Sequence, residues 1–143
     1  PGWAALIDAM DVQTSARLRW HRAWVALGGA IMLFVMWMAL TPDPSIALTF
    51  TYGDKLLHAS TFCGLMGWWG NVYRGRGAWV GVALGCLAFG VFIEFAQWLD
   101  PPRDASAWDV LADGIGILVA LLLLRTPLAR VLAGIEARFV RVG

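Results

Sequence analysis

From Ala23 to Leu40 the chain runs for 18 residues without a charge. As a helix rising 1.5 Å per residue, that run is about 27 Å long, close to the thickness of the hydrocarbon core of a bilayer. It stops before Thr41-Pro42-Asp43-Pro44, where the prolines cannot continue a helix. The rest of the composition agrees: 59% of the 143 residues are hydrophobic, 15% are charged and the mean hydropathy is +0.66, outside the range of soluble domains.

Three further apolar segments follow. Leu56 to Tyr73 is uncharged but for His58 and ends at Arg74-Gly75-Arg76-Gly77, a reversal signal. The next runs from Ala78 to Leu99, carries Glu94 and Gln97 in its last turns, and is broken by Asp100-Pro101-Pro102-Arg103. The last opens near Ser106 or Trp108 and closes at Leu124, before Arg125 and Pro127. The pattern predicts an all-α membrane protein, a single domain over 1–143, with four transmembrane helices at about 23–41, 55–73, 78–99 and 107–124.

Amphipathic interfacial segments are expected at both ends. Over 3–12, Trp3, Leu6, Ile7 and Met10 recur at helical spacing; over 128–141, Leu128, Val131, Leu132, Ile135 and Phe139 do, with Arg130, Arg138 and Arg141 elsewhere around the helix. No cleavable signal peptide is evident, so the first span is expected to remain as an anchor.

The arginines set the expected orientation. Arg17, Arg19 and Arg22 precede span one, Arg74 and Arg76 join spans two and three, and Arg125, Arg130, Arg138 and Arg141 follow span four, so nine of the eleven basic residues fall on one face. By the positive-inside rule that face is cytoplasmic, with both termini on it. A net charge of +1 and scattered arginines argue against nucleic acid as a partner. The nine Trp residues suit a small protein with much interfacial surface. Cys63 and Cys86 read as buried, reduced thiols, and no cofactor box is visible.

Against this apolar background the polar residues stand out, because an ionisable group inside a span is costly unless a partner or water compensates it. Asp54, Lys55 and His58 open the second span, Glu94 and Gln97 close the third, and Asp109 and Asp113 open the fourth, with Arg103 in the turn between. Asp54 and His58 are one helical turn apart, as are Asp109 and Asp113, so each set shares one face of its helix. All three sets lie at the non-cytoplasmic ends, which predicts a recessed polar pocket open to the outer leaflet.

In order along the chain, Asp54-Lys55-x-x-His58, Glu94-x-x-Gln97 and Arg103-x-Ala105-Ser106-x-x-Asp109-x-x-x-Asp113-Gly114-x-Gly116 resemble the VanZ-like family of small bacterial membrane proteins. The resemblance covers about residues 23 to 124, with Asp113 standing where the family often has Asn. It implies a bacterial inner-membrane location, an envelope or antibiotic-tolerance role linked to the glycopeptide teicoplanin, and a functional centre at these polar residues.

The roles assigned to them come from their chemistry. His58, Glu94, Asp109 and Asp113 are the candidate catalytic residues: His58 is a general acid or base near neutral pH, oriented by Asp54 or Glu94. Asp54, Lys55, Gln97 and Arg103 are the candidate substrate-binding residues, with Lys55 and Arg103 holding an anionic group beside two helix N-termini. The expected partners are membrane lipids, a lipid-linked cell-wall precursor or a glycopeptide, and no cofactor is expected.

Other readings compete. The carboxylates of Asp54, Glu94, Asp109 and Asp113 outnumber Lys55 and Arg103, so the pocket could take a cation or share protons. A metal held by His58, Glu94, Asp109 and Asp113 would be mixed N/O ligation, but a single histidine and no H-E-x-x-H argue against it. The same groups could instead close the helix ends as ion pairs, Lys55 with Glu94 and Arg103 with Asp109. A non-catalytic lipid- or antibiotic-binding or transport-assisting protein, or a purely structural subunit, would fit as well. Ser106 reads as a helix cap, and Gly81, Gly85, Gly114 and Gly116 as close-packing positions.

Overall fold

The computed structural model describes residues 18–41, 53–99 and 106–140. Five α-helices make up most of them: α1 His21–Leu40, α2 Gly53–Val72, α3 Arg76–Trp98, α4 Ala107–Leu123 and α5 Val131–Val140, with a 3₁₀ turn at Pro127–Arg130 before the last. There is no strand among the described residues. The expected segment at 3–12, and Arg103 with the turn around it, lie outside them.

Helix ends fall within about two residues of the apolar boundaries, for local reasons. Gly75 adopts φ 105°, a left-handed conformation that a residue with a Cβ rarely takes, and this lets Arg74-Gly75-Arg76-Gly77 reverse the chain between α2 and α3. Pro127 occupies the first position of the 3₁₀ turn, where a missing N–H costs nothing, and Thr126 caps it by accepting from the Leu128 N–H.

Two helices, α1 and α3, are each long and apolar enough to cross a membrane, and α4 with the segment Pro127–Phe139 would make a third, bent by 83° at the break. Helix α2 has the length but not the hydropathy, and packing explains why. It sits at the centre, burying Phe62, Leu65, Met66, Gly70, Asn71 and Val72, and a helix shielded by protein needs no apolar face toward lipid. The outer faces of α1, α3 and α4 instead expose large apolar side chains such as Leu33, Phe34, Leu84, Phe92, Leu118 and Leu122, the surface of a membrane-associated protein.

Helices α2 and α4 run parallel in close register. Lys55 meets Asp109, His58 meets Asp113, Ala59 meets Gly116, Gly70 meets Leu124, and the Asn71 amide donates to the Leu128 carbonyl. The closest approach is at Gly116, where any Cβ would strike the Ala59 carbonyl. Gly81, Gly85 and Gly114, expected to pack closely, face open space; the other tight positions are Gly28 against Trp68 and Trp69, Gly70 against Leu124, and Gly90 against Asp113 and Phe62. Which glycine meets a neighbour depends on the rotation of each helix, and a G-x-x-x-G spacing does not reveal it.

Helices α1 and α3 run the other way. Trp24 near the start of α1 stacks edge-on against Trp68, and Gln97 near the end of α3 donates to the Ala39 carbonyl at the end of α1. The starts of α2 and α4 therefore share one end of the bundle with the ends of α1 and α3. The seven described arginines, 19, 22, 74, 76, 125, 130 and 138, occupy the opposite end with α5.

Candidate functional site

At the acidic end the side chains form two tiers. The outer tier is Lys55, whose ammonium lies 3.0 Å from Asp54 Oδ2 and pairs directly with Asp109 Oδ1. Asp54 is mostly exposed and Asp109 is buried. The competing ion-pair reading joined Lys55 to Glu94; the parallel register of α2 and α4 sets Asp109 opposite it instead.

The inner tier is His58 and Asp113, with Nδ1 and Oδ1 2.9 Å apart. His58 is five residues into α2 and Asp113 six into α4, so both lie about 8–9 Å from their helix starts. Asp113 is only 1% exposed. Gly90 makes this depth attainable, since a Cβ there would collide with Asp113 Oδ2, and the Phe62 ring packs on the same glycine.

Glu94 joins the cluster from α3. Its Oε2 accepts the Ser106 N–H at 2.7 Å, which ties the end of α3 to the entry of α4. Ser106 is the N-cap residue, but it makes no side-chain cap bond; its backbone N–H anchors Glu94 instead. Glu94 is buried and within electrostatic reach of Asp109, His58 and Asp113. Gln97 stands apart, its amide spent on α1.

Three properties set the chemistry. First, Asp113 Oδ2 and Glu94 Oε1 are buried with no hydrogen-bond partner among the described residues, a costly state for carboxylate oxygens. Second, the Asp113 bond occupies His58 Nδ1, while Nε2 bonds to no described residue. A histidine held by a buried carboxylate at one nitrogen and free at the other is oriented for proton transfer. Third, among the described residues the carboxyls of Asp54, Glu94, Asp109 and Asp113 outnumber the lysines and arginines at this end, where Lys55 stands alone. Asp54, His58 and Asp109 also offer ligand atoms within 4.8 Å of one another; this trio differs from the set weighed from the sequence, and Lys55 already bridges its two carboxylates.

The arginine-rich end holds a second polar cluster that the sequence pattern did not single out. Glu136 on α5 is buried, and its Oε1 accepts from the Trp20 N–H and the Trp24 indole, both at 2.8 Å, while Oε2 accepts from the Arg19 N–H at 2.7 Å. Burial pushes this carboxyl up, but the three donors outweigh it and hold the group below the usual carboxylate range. Asn71 donates to the Gly67 and Leu128 carbonyls, both at 3.0 Å. The available signal was spacing: Glu136 sits four residues from Leu132 and three from Phe139, on the apolar face of an otherwise basic helix.

Comparisons of the chain with protein-family models, with curated proteins and with solved structures find no match.

Proposed function

We propose that the chain is a VanZ-like inner-membrane protein with four spans, α1 to α4, both termini cytoplasmic, and a polar pocket open to the outer leaflet that acts on an envelope lipid or lipid-linked cell-wall precursor. The observation that carries this reading is the His58–Asp113 pair, with Asp113 buried against Gly90 and His58 Nε2 unengaged among the described residues. A polar pair of this kind inside an apolar bundle costs stability, and a functional role accounts for the expense.

In this reading Asp113 fixes the ring of His58, and Nε2 takes or gives a proton at the head group. Lys55 exchanges one of its carboxylates for an anionic group of the substrate, and Glu94, held by the Ser106 N–H, presents its second oxygen to the same space. Helix α4 has 17 residues, about 26 Å at 1.5 Å each, slightly short of a 30 Å hydrocarbon core. That shortfall suits a span whose entry is recessed. The seven arginines at the other end favour its cytoplasmic placement, and the motif resemblance links the phenotype to teicoplanin.

The test is teicoplanin susceptibility of bacteria expressing the chain, together with turnover of labelled envelope lipid by the purified protein. His58→Ala and Glu94→Gln should each abolish resistance while the amount of folded protein is unchanged. Wild-type resistance in both variants would refute the assignment, and saturable lipid binding without product would replace catalysis with binding.

A further inference from the structure

A cavity of about 310 Å³ lies away from the acidic cluster, walled by α2, the end of α4 and α5. Cys63, Gly67 and Asn71 line it along α2, with Leu124, Leu128 and Ile135 opposite. Those three α2 positions span eight residues, about 12 Å of helix, so the cavity follows the axis of α2 from the arginine-rich end toward the middle of the bundle. Its walls are dry: Asn71 is bonded through both ends of its amide, to the Gly67 and Leu128 carbonyls and the Leu132 N–H. A slot of this shape suits an alkyl chain entering from the interface.

Two arginines stand at its open end. Arg74 follows Asn71 by three residues and donates to the Ala129 carbonyl at 3.3 Å. Arg130 is exposed, lies between the lining residues Leu128 and Val131, and has no anionic partner among the described residues. Their charges repel: burial first and the Arg130 charge second push the Arg74 guanidinium below its usual range, and Glu136 only partly opposes them. The Glu136 carboxylate is itself committed to three donors. Two guanidinium groups within electrostatic reach of each other, neither in an ion pair among the described residues, match a phosphate.

We propose that this cavity seats an anionic phospholipid, with its phosphate against Arg74 and Arg130 and one acyl chain along α2 between Asn71 and Cys63. The lipid fills the angle left by the 83° bend before α5, so the terminal helix is fastened to the bundle partly through lipid.

The experiment is native mass spectrometry of the full chain in mild detergent, titrated with phosphatidylglycerol or phosphatidylcholine. Wild type should retain one phosphatidylglycerol about fivefold more tightly or better, as one basic residue near a membrane surface is worth. Arg130→Gln, whose side chain makes no hydrogen bond among the described residues, should bring the two lipids to near parity. Gly67→Leu should weaken both lipids, because a Cβ at Gly67 meets nothing within 4 Å and a longer side chain would enter the slot without disturbing the helix. Cys63→Leu is a second filling substitution from the adjacent turn, and thermal melting confirms that each variant is folded. Equal binding of the two lipids by wild type, full phosphatidylglycerol preference in folded Arg130→Gln, or undiminished phosphatidylglycerol binding in both filled variants overturns the proposal. So does displacement by inorganic phosphate as effective as by the whole lipid, which would leave the acyl chain no part.

Discussion

Glu136 and Asp113 are both buried carboxylates in the same small bundle, at opposite ends of α2, and they are served very differently. Glu136 has three hydrogen bonds shared over both oxygens, two of them from the backbone where the chain enters α1. Asp113 has one, to the His58 ring, and its second oxygen has no partner among the described residues. A carboxylate with fixed donors on both oxygens holds parts of a protein together. One with a single hydrogen bond, to a side chain, contributes less to holding the helices together.

The largest effect should come from Asp113→Ala. Losing the group that orients His58 should cut activity about 100-fold or more, the scale of general acid–base catalysis, measured as teicoplanin susceptibility or lipid turnover. Stability should fall by about 1 kcal/mol, for the one hydrogen bond lost, less than in Glu136→Ala, and thermal unfolding in detergent checks this. Glu136→Ala should behave the opposite way. Leaving three donors without their acceptor should cost about 2–3 kcal/mol, read as a lower melting temperature, with activity per folded molecule retained. A loss of activity in Glu136→Ala beyond its loss of folded protein would break the contrast.

Gly90→Ala probes how closely α3 approaches the inner tier. The added methyl group must displace Asp113 Oδ2 or the Phe62 ring, at a cost of about 1–2 kcal/mol, and it should lower activity and melting temperature together. The smallest effect is in pH. The carboxyl of Glu136 is held below its usual range, so its stabilisation is complete above the unfolded value near 4.3 and is lost as pH falls through the folded value. Melting temperature should therefore fall on acidification more steeply for wild type than for Glu136→Gln.

Much of this arrangement could be read from the chain. The uncharged runs located α1 to α4, because length and apolarity alone decide where helices of this kind begin and end. The one-turn spacings Asp54 to His58 and Asp109 to Asp113 put the right residues on single faces, and the bundle does join His58 with Asp113. Partner choice was not legible, since it depends on helix register: Lys55 found Asp109 and not Glu94. Nor was the partner of Glu94, because a backbone N–H leaves no mark in the pattern of side chains. Gln97 looked like part of the acidic set by spacing, yet it faces α1. Glu136 was hidden by the arginines around it, which made α5 read as a uniformly basic amphipathic helix.

The most direct test of the division between the two ends is His58→Gln, with melting temperature and teicoplanin susceptibility measured on the same preparation. Glutamine can still donate a hydrogen bond to Asp113 but cannot carry a proton at neutral pH. Susceptibility should rise to that of cells lacking the protein while the melting temperature stays within about 2 °C of wild type, no more than a change of about 1 kcal/mol would produce. Retained resistance, or a loss that only follows a falling melting temperature, would show that His58 serves the fold and that the acidic end is no more a working site than Glu136 is.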